Sequence, residues 1–167
     1  MSESAFMPDI KLLVPGEWPL LRDMRLAALR DSPHAFLASY QVEKAFDEPK
    51  WRAEFDRGDW TVSVEENVPA AIVGCTWETG KPDDERYLEY VWVAPGWRNK
   101  GVARNMLTVV LDRLRTAGVR TAYLWVLDGN DAAVRLYKRV GFVSSDQRQP
   151  LAARPGRTEE RMQFNLG

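Results

Sequence analysis

Apolar positions along this chain change their spacing several times, and each change marks an element. IKLLV (10–14) reads as a short first strand. In GEWPLLRDMRLAALRDS (16–32), Leu21, Met24 and Ala28 recur at helical spacing and predict an amphipathic helix. Asp31-Ser32-Pro33 punctuates it, and proline suits the first turn of a following helix, expected over 34–46 (HAFLASYQVEKAF). EPKWRAEFDRG (48–58) predicts a third, short helix. DWTVSVEE (59–66) alternates as a strand does. Asn67-Val68-Pro69 reads as a turn into a second strand, AAIVGCTWET (70–79), and GKPDD (80–84) as another turn. ERYLEYVWVAP (85–95) is apolar on both faces apart from Glu89, the mark of a central, covered strand.

The helix beginning near 102 is strongly amphipathic: Ala103, Met106, Leu107, Val110, Leu111 and Leu114 share one face, and Gly118 stops it. RTAYLWVLD (120–128) reads as another buried strand. Asn130 or Asp131 caps a last major helix, DAAVRLYKRV, which ends at Gly141. FVSSDQ (142–147) and ERMQFNL (160–166) close the chain as strands around a polar loop at 148–158. The strand–helix–strand unit over 87–126 requires a right-handed crossover and a parallel pair in the middle of the sheet. The fold class expected is therefore α/β, a mixed and mostly antiparallel sheet with helices on both faces.

A length of 167 residues suits one domain with its own core. Lys and Arg total 23 against 24 Asp and Glu, so no excess of positive charge points to nucleic acid. Cys75 has no partner for a disulfide, which fits a reducing cytoplasm. The start of the chain does not read as a signal peptide, and no apolar run is long enough to span a membrane. No His, Cys or carboxylate cluster has metal-ligand spacing, so no metal is expected.

Between the central strand and the amphipathic helix lies RNKGVA (98–103). A helix start carries unpaired N–H donors and a partial positive charge. Gly101 permits close backbone approach, and Arg98, Lys100 and Arg104 surround the turn with positive charge. These features make an anion site. The segment lacks the Lys-Ser/Thr ending of a nucleoside-triphosphate loop and the three spaced glycines of a dinucleotide fingerprint. The ligand expected is then a phosphate-bearing molecule of another kind, with a plain basic helix start facing water as the alternative.

The run VWVAPGWRNKGVARNML resembles the acetyl-coenzyme A signature of the GNAT superfamily of N-acetyltransferases, Arg/Gln-x-x-Gly-x-Gly/Ala, with Arg98, Gly101 and Ala103 at its positions. LWVLDGNDAAVRLYKRVGF resembles that superfamily's later motif through Asn130, Ala133, Tyr137, Gly141 and Phe142. The resemblance implies one acetyltransferase domain over 1–167. In it, 1–58 would supply a strand and acceptor-side helices, and 59–167 the sheet core with its acetyl-coenzyme A site. It implies a central parallel pair splayed apart. It also implies a pyrophosphate on the amides of Arg98, Asn99, Lys100, Gly101, Val102, Ala103 and Arg104, and a pantetheine arm bonded to the backbone near Val91 and Val93.

The reaction implied is direct acetyl transfer from acetyl-coenzyme A to an amine, with a non-catalytic acyl-coenzyme A-binding or regulatory domain as the alternative. Tyr137 would protonate the leaving thiolate, although its spacing also suits simple packing. The Val93 N–H would face the oxyanion. Asn130 would bond to the pantetheine arm, cap the helix, or do both. Glu89, the one ionised group in its strand, is the candidate base, with a structural ion pair as the plainer role; strand parity puts it on the same face as Val91 and Val93. Glu78, Glu85 and Asp128 could orient a cationic acceptor. His34 reads as a surface or capping residue, and Cys75 as a buried structural thiol. Arg22, Arg25, Trp51, Trp60 and Trp77 are candidates for lining the acceptor site. The acceptor is expected to be a small-molecule amine or a peptide, and a homodimer is common in the superfamily.

Overall fold

A computed structural model of the chain describes residues 7–167. Seven strands form one sheet in the order β1-β2-β3-β4-β5-β7-β6. They are β1 (Asp9–Leu12), β2 (Gly58–Glu65), β3 (Val68–Thr76), β4 (Glu85–Val93), β5 (Thr121–Leu127), β6 (Val143–Pro150) and β7 (Thr158–Asn165). Every neighbouring pair is antiparallel except β4 and β5. The helices are α1 (Trp18–Asp31), α2 (Tyr40–Lys44), α3 (Glu48–Phe55), α4 (Val102–Thr116) and α5 (Asp131–Val140).

The two faces of the sheet carry separate cores. On one, Met106, Leu107, Val110, Leu111 and Leu114 of α4 pack on Ala71, Val73, Leu88 and Leu124. On the other, Leu21, Met24 and Ala28 of α1 and Phe55 of α3 pack on Trp60, Val62, Ile72 and Trp92. The period-3.6 stripes of α1 and α4 are thus the two surfaces that cover the sheet. The α4 stripe ends as its sequence predicts. Gly118 adopts φ +82°, and the N–H of Val119 bonds back to the carbonyl of Leu114 at 3.0 Å.

Three local expectations are corrected. The helix expected over 34–46 shrinks to Tyr40–Lys44, and residues 33–39 form turns. Leu37 and Val42 are 46% and 60% exposed, so no continuous buried stripe exists to hold a longer helix on the sheet. The β2–β3 turn sits at Glu66-Asn67, both at positive φ, and Pro69 lies within β3 opposite Val64. Two left-handed residues make the tight hairpin that matches strand twist, which moves the turn one residue toward the N-terminus. The closing strands run longer than expected and leave only 151–157 as loop.

Candidate active site

β4 and β5 pair only at Glu85–Thr121, Arg86–Ala122 and Tyr87–Tyr123. Beyond Tyr87 the strands part, and a cavity of about 350 Å³ opens between them. It reaches both faces of the sheet. Ala103, Asn130, Ala133 and Tyr137 line it from the α4/α5 side, and Arg25 and Ala35–Ala38 from the α1 side. The Ala94 N–H bonds to the Ala70 carbonyl at 2.8 Å. Strand alternation therefore turns the N–H of Val93, and of Val91 two residues before it, toward the gap. There β5 no longer supplies a partner, and main-chain groups that face a gap call for a ligand or water.

At the mouth of the gap, a single 3-10 turn (Pro95–Trp97) leads into α4. Among the described residues, no carbonyl accepts the amides of Asn99 through Arg104; the Arg98 amide bonds to Pro95 at 3.3 Å and the Asn105 amide to Gly101 at 3.0 Å. Asn99 and Gly101 lie at φ +59° and +81°, a curl that gathers these amides at the helix start. Arg98, Asn99, Lys100 and Gly101 are exposed, while Val102 is buried under the core. The row of open donors fits a diphosphate, and the gap behind it fits an extended arm.

Residues 22–142 match the profile of the Acetyltransferase (GNAT) family. The chain belongs to this family. Among relatives, it is 40% identical over 67 residues to the mycothiol acetyltransferase of Nocardiopsis dassonvillei, covering 40% of this chain and 20% of that protein. It is 26% identical over 137 residues to the mycothiol acetyltransferase of Corynebacterium glutamicum, covering 68% and 47%. It is also 39% identical over 59 residues to the bS18-alanine N-acetyltransferase of Salmonella typhimurium, covering 35% and 40%. In each case the match spans less than half the length of the relative. Among solved structures, Salmonella typhimurium YncA with acetyl-CoA superposes with a TM-score of 0.76 at 18% identity, over 96% of this chain and 94% of that one. The Escherichia coli S18-alanine N-acetyltransferase does so at 0.68 and 22% identity, over the same shares.

In this GNAT fold, Tyr137 projects from α5 into the cavity wall. It is buried, it meets Phe142 edge-on at 5.9 Å, and its hydroxyl has no hydrogen-bond partner among the described residues. Burial alone raises its phenol above the ordinary range, so it is protonated at neutral pH. Asn130 caps α5, its Oδ1 accepting from the Ala133 N–H at 3.3 Å, and it also lines the cavity. The Arg98 side chain turns away from the open amides. Its Nε donates to the Val93 carbonyl at 3.0 Å and its Nη2 to Asp31, which also accepts from Trp92 Nε1 at 2.9 Å. Lys100 lies over the Trp97 ring at 5.1 Å.

Glu89 does not share a face with Val91 and Val93, as strand parity would have it. Opposite β3, Ile72 pairs with Trp92 and Gly74 with Glu89, so Tyr90 and Val91 together oppose Val73. Tyr90 sits at φ +57°. This β-bulge turns Glu89 and Tyr90 to the α1/α3 face, while Leu88, Val91 and Val93 face α4. A left-handed tyrosine costs about 1–3 kcal/mol. Three contacts offset it: the Trp60 ring at 5.0 Å, the Arg25 guanidinium at 3.7 Å, and a 2.5 Å hydrogen bond to Glu54.

Glu89 borders the same cavity from this second face, with its side chain 16% exposed. Arg57 Nη2 lies 2.6 Å from Glu89 Oε1 without the alignment of a hydrogen bond. Burial, the largest influence, raises the Glu89 carboxyl above the usual range, and Arg57 only partly opposes it.

Of the residues expected around the acceptor, Arg25 lines the cavity, buried in a pair with Glu43 at 2.9 and 3.1 Å. Trp51 and Trp60 are instead fully buried: Trp51 packs against Phe46 at 5.5 Å, and Trp60 stands on the sheet face that α1 and α3 cover. Arg22 lies over Trp18, and Trp77 is 57% exposed in a separate hollow with Arg86. Glu78 accepts from the Tyr123 hydroxyl, Glu85 pairs with Arg161 and Asp128 with Arg148, so these carboxylates bind protein partners. His34 is exposed in the 33–39 turns. Cys75 is buried, and burial pushes its thiol up to about 12, which leaves it inert.

Sequence reasoning missed Glu54, Arg57, Tyr90 and Arg154. Arg154, from the β6–β7 loop, donates to the carbonyls of Pro33, His34 and Phe36 and so pins the turns that wall the cavity. Nothing in local spacing signals a contact across more than 100 residues; only the unusual run of backbone turns after Pro33 hints that something must hold it.

Proposed function

We propose that this GNAT chain moves the acetyl group of acetyl-coenzyme A directly onto a primary amine. The observation that carries this reading is the cavity through the sheet, with an unpartnered phenol on one face and a half-buried carboxylate on the other. Residues 59–167 hold the donor, and helices and turns within 7–58 wall the acceptor. The open amides from Asn99 to Arg104, together with Arg104 and Lys100, hold the diphosphate, so the role first expected of the Arg98 side chain falls to its neighbours. The thioester arm lies along Val91 and Val93, with Asn130 at its side.

The acceptor enters from the α1 side, past Arg25 and Ala35–Ala38. Glu89 takes a proton from the acceptor nitrogen, directly or through water, leaving its lone pair free to bond to the acetyl carbon. The Val93 N–H steadies the carbonyl oxygen as negative charge gathers on it. As the carbon–sulfur bond breaks, Tyr137 gives its proton to the departing sulfur, and the second proton that the nitrogen sheds on becoming an amide returns through water to the phenolate. The two proton-handling groups face opposite sides of the gap, so each meets one reactant. The names of the relatives, which act on mycothiol and on a ribosomal protein alanine, support an acceptor that is a small amine or a peptide α-amine.

The test is release of free thiol from acetyl-coenzyme A across a panel of small amines and short peptides, with Glu89→Gln beside the wild type. Turnover on at least one acceptor, reduced about 10²–10⁴-fold in the variant, is expected. Tight coenzyme A binding with no turnover on any amine or peptide would instead make this a binding domain.

A further inference from the structure

Around Glu89, two carboxylates share one guanidinium. Arg57 Nη2 lies 2.5 Å from Glu54 Oε1 and 2.6 Å from Glu89 Oε1. The two contacts are unequal. Glu54 accepts an aligned hydrogen bond from Arg57 and a second, at 2.5 Å, from the Tyr90 hydroxyl on the same oxygen. Glu89 Oε1 receives only proximity, and it is buried without an aligned donor. Glu54 is therefore the better-satisfied partner, and its carboxyl is held below the usual range by Arg57 and Tyr90 in spite of burial. Burial acts on both acids, but the donors resolve them in opposite directions.

The position of Arg57 is itself over-determined. It follows α3 directly, its N–H bonds to the Glu54 carbonyl at 3.3 Å, and its guanidinium lies 5.7 Å from the Trp60 ring and 6.0 Å from the Tyr90 ring. Its own proton is held more firmly than usual by the two carboxylates, so it remains a cation throughout. The groups that face Glu89 are Glu54 and Arg57 from α3 and its end, Thr76 from β3, and Tyr87 and Tyr90 on β4 itself. Among the described residues, Arg57 is the cation in contact with Glu89, and Arg25 of α1 lies beyond it over the Tyr90 ring at 3.7 Å.

We propose that Arg57 is a positioning residue for the base: shared with Glu54, it pins one oxygen of Glu89 while leaving the carboxylate too weakly held to refuse a proton. Glu54 is the competitor that keeps the Arg57 charge from being given wholly to Glu89. Full pairing with Arg57 would make Glu89 a poor proton acceptor, and no pairing would leave it protonated and useless as a base. The shared arrangement lies between these limits. It rests on the reading of Glu89 as the base.

The test compares pH profiles of kcat/KM for wild type, Glu54→Gln, Arg57→Met and Arg57→Lys with one acceptor, so that the acceptor's own titration cancels. Glu54→Gln frees Arg57 for Glu89 and removes a neighbouring negative charge; the acid limb moves about one pH unit lower. Arg57→Met moves the limb higher and lowers kcat about tenfold or more, with the KM for acetyl-coenzyme A unchanged. Arg57→Lys keeps the charge and loses the planar fork, so it restores the limb without restoring kcat. An unmoved acid limb in Glu54→Gln overturns the proposal, and that variant decides the matter should Arg57→Met fail to fold. Glu89→Gln separates the two levels: full activity there removes the base itself, whereas its loss beside unmoved Arg57 and Glu54 profiles removes only the inference.

Discussion

Glu89 and Val91 stand two residues apart on β4 and present their side chains to opposite faces of the sheet, because the bulge at Tyr90 inserts one residue between them. The side chain of Glu89 thereby joins Glu54 and Arg57 on the α1/α3 side, and that of Val91 joins the α4 side with Tyr137. The break in alternation lets one strand line the cavity from both faces of the sheet.

Tyr137→Phe tests the proposed acid at the far side of that gap. The residue is buried and its hydroxyl, at the cavity wall, lacks a partner among the described residues, so its removal costs no hydrogen bond within the protein. Thermal stability is expected to hold or rise slightly while kcat falls about 10²-fold or more. Coenzyme A affinity, read by calorimetry, stays at the wild-type value. A loss of stability with unchanged kcat would return Tyr137 to a packing role.

Gly101→Val probes the donor loop. Gly101 holds φ +81°, where a β-branched residue is strained, and an added Cβ would stand 3.2 Å from Met7 Cε. The strain is about 1–3 kcal/mol. The relaxed loop no longer gathers its amides, and coenzyme A binding is expected to weaken about tenfold or more. Titration calorimetry reads the change, and binding at wild-type strength would show that the curl at 99–101 does not hold the ligand.

Arg154→Ala releases three carbonyls of the 33–36 turns at once. The wall formed by Ala35–Ala38 then loosens. The KM for the acceptor is expected to rise several-fold while that for acetyl-coenzyme A stays fixed, and amide exchange over 33–39 should quicken. Equal rises in both constants would point to a general loss of folding.

Glu43→Gln breaks the buried pair with Arg25, whose side chains are 5% and 10% exposed. A lone buried guanidinium costs about 3–5 kcal/mol, a large part of the stability of a domain this size. Urea denaturation is expected to show a loss of that order. A loss below about 1 kcal/mol would mean that solvent reaches Arg25 more freely than its burial implies.

Much of this architecture was legible in the chain. Leu21, Met24 and Ala28 announced α1, the stripe from Ala103 to Leu114 announced α4, and the strand–helix–strand order required the parallel pair. The open loop at 98–103 could be read because a glycine, a helix start and basic residues are all local features. The 34–46 segment misled: helix-favouring residues there have no apolar stripe to dock, and Arg154 holds them in turns instead. Trp51 and Trp60 misled in the other direction, since an aromatic side chain looks the same in sequence whether it lines a site or fills a core.

The sequence by itself determined the element order, the two covered faces of the sheet, the amide-rich turn before α4 and membership of a family through two motifs. Each depends on spacing within one or two turns of chain, where covalent geometry ties neighbours together. Only the tertiary structure decided how far β4 and β5 stay paired, which way Glu89 points and which cation stands beside it. A single extra residue in a strand reverses every side chain that precedes it, and Arg57 reaches Glu89 only after α3 packs on the sheet.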